Sequence, residues 1–65
     1  MKDWQKMVIQ ERNDLDKKVT QLEDYLMYCE PDIDLKMVTM LDRQLSYMKG
    51  YLSILNHRIS EYQNE

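Results

Sequence analysis

A chain of 65 residues with net charge −3, one cysteine and one histidine is a single small domain at most; it forms no intrachain disulfide and offers no convincing metal-ligand cluster. Below about 70 residues a lone hydrophobic core supplies little net stability, so with staples excluded, oligomerisation remains. The acidic balance argues against a DNA or RNA polymer as partner, which needs a basic face to release counterions, and no stretch approaches the roughly 20 apolar residues that span a bilayer.

The amino terminus opens with Lys2, Asp3 and Trp4 rather than a signal-peptide core, so the chain reads as soluble and cytosolic. The first predicted helix runs over about 2–28. Its seam is Val8, Leu15, Val19, Leu22, Leu26 and Cys29, with Arg12 in one heptad core position. The seam thins toward the amino end, where Gln5 and Arg12 make the open tip more polar. A polar seam residue costs stability but fixes register or oligomer state, and for Arg12 this reading stands ahead of ligand binding.

Beside that seam Trp4, Glu11, Lys18 and Tyr25 recur every seven residues, with Lys2, Lys6, Arg12, Lys17 and Lys18 interspersed. Aromatic faces stack on nucleobases while Lys and Arg neutralise phosphates, so an aromatic beside cations suits a small nucleotide ligand. Composition alone favours a plainer reading, in which Trp4 packs between protomers and the lysines solubilise the helix.

Cys29-Glu30-Pro31-Asp32 holds the only proline, and the turn is expected over about 29–33. Asp32 or Asp34 can accept hydrogen bonds from the amides that open the second helix. A short connection makes the helices antiparallel neighbours, each arm about 30 residues and roughly 45 Å long. Leu26 should then face the Val38 region, Leu15 should face Met48, and Trp4 should lie near Ile59 and Tyr62.

The second helix is expected over about 34–63. Its unbroken seven-residue repeat is Val38, Leu41, Leu45, Met48, Leu52, Leu55, Ile59 and Tyr62. A second stripe, Met37, Met40, Tyr47, Tyr51 and Ile54, lies around the helix from the first, and one partner helix cannot cover both. The predicted fold class is therefore all-α, an antiparallel two-helix hairpin over 1–65 that assembles into a helical oligomer. Gly50 falls opposite the seam, where its cost of about 1 kcal/mol relative to alanine is tolerated. Thr39, Ser46, Ser53 and Ser60 recur every seven residues on another face, open to a neighbouring helix or to solvent.

Enzyme chemistry has little to work with. Asp14 with Lys18 and Asp42 with Lys49 read as solvated helix faces rather than acid–base machinery. Cys29 sits at the turn and the exposed His57 near the opposite end, so they form no dyad. No Gly-rich phosphate loop or nucleophile motif is present. A binding protein without cofactor is expected.

The run Asp3-Trp4-Gln5, Val8-Ile9 with Glu11, then Asp14-Leu15-Asp16-Lys17-Lys18-Val19 and Leu22 resembles the amino-terminal helix of the phage anti-CBASS sponges. These short helical hairpins share their fold with one class of anti-Thoeris sponges. The resemblance continues through Leu45, Met48, Tyr51, Leu55 and Arg58-Ile59, covering most of the chain.

It implies a non-enzymatic sponge that binds cyclic nucleotide immune signals, cyclic dinucleotides such as cGAMP and in some relatives cyclic trinucleotides, and so blocks bacterial CBASS defence in the cytoplasm of the infected host. It also implies a hexamer in which cyclic dinucleotides sit between amino-terminal helices of paired protomers. By position, Trp4 matches the aromatic that stacks on a base. Lys17 or Lys18 matches the lysine on phosphate, and the two point about 100° apart. Arg58 matches a basic position resembling the trinucleotide-site arginine; its plainer role is an ion pair with helix one. The chain departs from the pattern at Met7, where relatives commonly place arginine. The alternative is an oligomeric helical module that binds another protein through its Met/Tyr stripe and takes no nucleotide.

Overall fold

The computed structural model describes residues 1–28 and 34–63. Two helices make up the described chain, α1 (Asp3–Met27) and α2 (Leu35–Gln63), packed into an antiparallel hairpin 50 × 14 × 14 Å. The expected all-α hairpin is the observed one, and among the described residues there is no strand.

Local chemistry fixes the helix ends. Lys2 is extended, and its backbone amide donates to Gln5 Oε1 at 2.9 Å, while Asp3 places negative charge in the first turn of α1. Gln5, expected to make the tip polar, is instead buried by this bond. At the far end the Tyr28 amide donates to the Asp24 carbonyl at 3.1 Å. Asp34 caps α2, its Oδ1 accepting from the Lys36 amide at 3.0 Å. The other cap candidate, Asp32, lies outside the described residues, as do Cys29, Glu30 and Pro31 of the expected turn.

Every residue of the Val38-to-Tyr62 repeat is buried or half-buried, whereas Met37, Met40, Tyr47, Tyr51 and Ile54 are all exposed. The hairpin therefore covers one stripe and leaves the other open. Val19, Leu45, Leu55 and Ile59 form the buried apolar core, with Leu55 only 2% exposed. Val8, Leu15, Leu22 and Leu26 line the α1 side half-buried, and so does Ile9, which lies outside the heptad seam.

Polar contacts also join the two helices. Arg12, half-buried in its seam position, donates from Nη1 to Asn56 Oδ1 at 3.0 Å and from Nε to Asn13 Oδ1 at 2.8 Å. The bond to Asn56 joins the two helices at a seam position. Lys49 does not pair with Asp42; it reaches across the hairpin to Glu23 at 3.4 Å. So exposed a pair contributes at most about 1 kcal/mol. Thr39 and Ser46 turn their hydroxyls onto the Leu35 and Asp42 carbonyls of their own helix, at 2.9 and 3.3 Å. Among the described residues no helix is long and apolar enough to cross a membrane, and no cluster of His, Cys, Asp and Glu could hold a metal ion.

Candidate functional site

The open end of the hairpin holds Trp4 in place. Its indole meets the Tyr62 ring edge-on, with centroids 5.1 Å apart and planes at 86°, so Trp4 sits beside Tyr62 as expected from the antiparallel register. The Tyr62 hydroxyl is buried and has no hydrogen-bond partner among the described residues. The contact fixes the ring while 49% of the Trp4 surface remains open.

From Trp4 a groove of about 800 Å³ runs along the α1–α2 face, joining Trp4, Met7, Glu11 and Lys18 of α1 to Tyr51 and Arg58 of α2. Three of the four candidate residues, Trp4, Lys18 and Arg58, are thus brought together. Lys17 is not on this lining, because the neighbouring position on a helix points about 100° away. Tyr25, the last member of the Trp4 stripe, is also outside it.

Among the described residues Lys18 and Arg58 form no ion pair or hydrogen bond. The ion pair expected between Arg58 and helix one is therefore absent. The nearby carboxylates carry other contacts: Glu11 accepts a hydrogen bond from the Tyr51 hydroxyl, and Asp14 Oδ1 accepts from Gln10 Nε2 at 2.9 Å. The bond to Glu11 holds the Tyr51 phenol above its ordinary pKa of 10.0, with burial and the Glu11 charge adding to the effect and the Arg58 charge opposing it. Two free cations, two carboxylates and an open aromatic face share one concave surface.

A second groove of about 550 Å³ shares Leu15 and Tyr51 with the first and is also lined by Met40, Arg43, Tyr47 and Met48. Leu15 and Met48 meet there, as their register requires. Tyr51 walls both grooves, so it is more than the member of an assembly stripe that its spacing suggested. His57 is exposed and lies 3.8 Å from Glu61 on its own helix, while Cys29 is outside the described residues.

A family model described as Sequestin matches residues 2–61, which include both helix surfaces of the groove. The chain belongs to the Sequestin family. No curated protein and no solved structure matches it. The name Sequestin fits a protein that sequesters a ligand, in agreement with the sponge class expected from the resemblance at that level of detail. Trp4, Lys18 and Arg58 all fall within the residues matched by the Sequestin model. The contribution of Tyr51 to the same groove was not readable, since only the folded register sets it beside Glu11.

Proposed function

We propose that the protein is a non-enzymatic sponge that binds a cyclic dinucleotide such as cGAMP and withholds it from the receptors of bacterial CBASS defence, in the cytoplasm of the infected host. The observation that carries this reading is the groove joining half-exposed Trp4 to two cations, Lys18 and Arg58, that have no ion-pair partner among the described residues. Membership in a family named for sequestration supports it.

In this reading Trp4 stacks on a base, and Lys18 and Arg58 neutralise phosphates by charge-assisted hydrogen bonds. Arg58 precedes Tyr62 by one helical turn, so it approaches the Trp4 end. Lys18 lies fourteen residues beyond Trp4, roughly 21 Å along the axis. One protomer therefore does not enclose a compact ligand from both ends. A second protomer supplies the other wall, and the family resemblance favours a hexamer with ligands between paired α1 helices. Binding breaks no bond, and the ligand is removed from the signalling pool simply by being held.

A thermal-shift panel of cyclic dinucleotides, cyclic trinucleotides and cyclic ADP-ribose isomers tests this directly. At 100 times the dissociation constant a one-site ligand stabilises by about 2.7 kcal/mol. Trp4→Ala should remove the shift, since stacking contributes roughly 1–3 kcal/mol per base. Lys18→Glu should weaken binding and Lys17→Glu should not. Ligand recovered from the heated complex should be intact, whereas linear nucleotide would replace the sponge with a hydrolase.

A second reading rests on the exposed stripe of Met37, Met40, Tyr47 and Ile54. Methionine-rich surfaces adapt to varied partners, so an oligomeric protein-binding module without nucleotide fits that face. Absence of a shift with every ligand in the panel would favour it.

A further inference from the structure

We infer that Glu11 reads the base edge of the ligand and gives the groove a preference for guanine over adenine; this rests on the cyclic-nucleotide reading above. The groove is not a simple anion site. Lys18 and Arg58 suit phosphates, but Glu11 and Asp14 on the same lining repel them. A matching ligand must therefore present hydrogen-bond donors as well as negative charge.

Glu11 is placed to meet such donors. The Tyr51 hydroxyl crosses from α2 and donates to Oε1, which holds the carboxylate in position, and among the described residues Oε2 accepts no hydrogen bond. A carboxylate has about four acceptor positions, so both oxygens still have capacity. Glu11 follows Trp4 by seven residues, two turns and roughly 10.5 Å along the same face, and both line the groove. Exposed Met7 lies one turn from each and offers an apolar floor between them. A purine stacked on Trp4 then directs its edge at Glu11.

The donor pattern decides among bases. Guanine presents two adjacent donors, N1–H and the N2 amino group, which match two carboxylate oxygens. Adenine sets an amino donor beside the N1 acceptor, and uracil offers one N–H between two carbonyls. Asp14 is the poorer reader, being a further turn from Trp4 and held by the flexible Gln10 of its own helix.

Calorimetric titration with cyclic di-GMP, cyclic di-AMP and cyclic di-IMP tests the assignment without any variant, because inosine differs from guanine by the missing 2-amino group. The protein should bind cyclic di-GMP at least about tenfold more tightly than cyclic di-AMP, within the range one bidentate base contact supplies, with cyclic di-IMP between them. Glu11→Gln retains an acceptor for Tyr51 but turns one oxygen into a donor, the pattern that pairs with adenine. It should lose at least about tenfold for cyclic di-GMP and lose nothing for cyclic di-AMP. Equal affinities in the unaltered protein, or the same preference in Glu11→Gln, would overturn the role of Glu11 while leaving a Trp4-dependent sponge intact. Failure of all three ligands to bind would overturn both readings.

Discussion

Tyr51 is the residue on which the two helices and the two grooves converge. Its phenol donates to Glu11, and this bond is the first cause of its raised pKa. The neutral form is thus favoured in the folded chain, so its contribution is fully present below pH 10.0 and is lost as pH rises through the higher folded value. Following phenolate absorbance with pH, the signal missing from Tyr51→Phe should belong to a tyrosine that titrates above the ordinary range. Glu11→Gln should bring that titration down. A Tyr51 that ionises below the ordinary value would show that Arg58, the one opposing influence, governs it instead. None of this was legible from spacing, which placed Tyr51 only on the Met/Tyr stripe. Lys17 and Lys18 stayed open alternatives in the sequence, and the folded chain sets only Lys18 on the groove lining.

Each helix was largely readable because burial follows the 3.5-residue repeat: the α2 seam is covered from Val38 to Tyr62, and α1 from Val8 to Leu26. Capping chemistry offered Asp32 or Asp34 for the start of α2, and the folded chain shows Asp34 capping it. Side-chain reach was the missing ingredient, since Lys49 finds Glu23 rather than Asp42, and Arg12 finds Asn56, only once antiparallel register is set. Gly50 offers a clean test of the α2 reading. A Cβ added there meets nothing within 4 Å, and the backbone is helical. Gly50→Ala should therefore stabilise by about 1 kcal/mol, seen as a melting temperature higher by roughly 4–8 °C at the same protein concentration. A lower melting temperature would mean that another chain packs closely against this position.

At the scale of the whole molecule, the hairpin has a narrow core and a broad exposed apolar face. Tyr47 is 73% exposed and Met40 65%, on the stripe that one partner helix was not expected to cover. If copies of the chain meet there, the melting temperature rises with concentration, and Tyr47→Glu lowers the mass measured in solution. An unchanged mass would move assembly to another face. The stripe was legible in the sequence; its partner was not, because heptads fix which faces are buried and not how many chains bury them. Trp4 is the sole tryptophan, so its fluorescence reports on the proposed site without a label. The most direct measurement is a fluorescence titration with cyclic dinucleotides. Stacking should quench the Trp4 emission to saturation, with the intact nucleotide recovered afterwards; emission unchanged while another method records binding would place the ligand elsewhere and contradict the account.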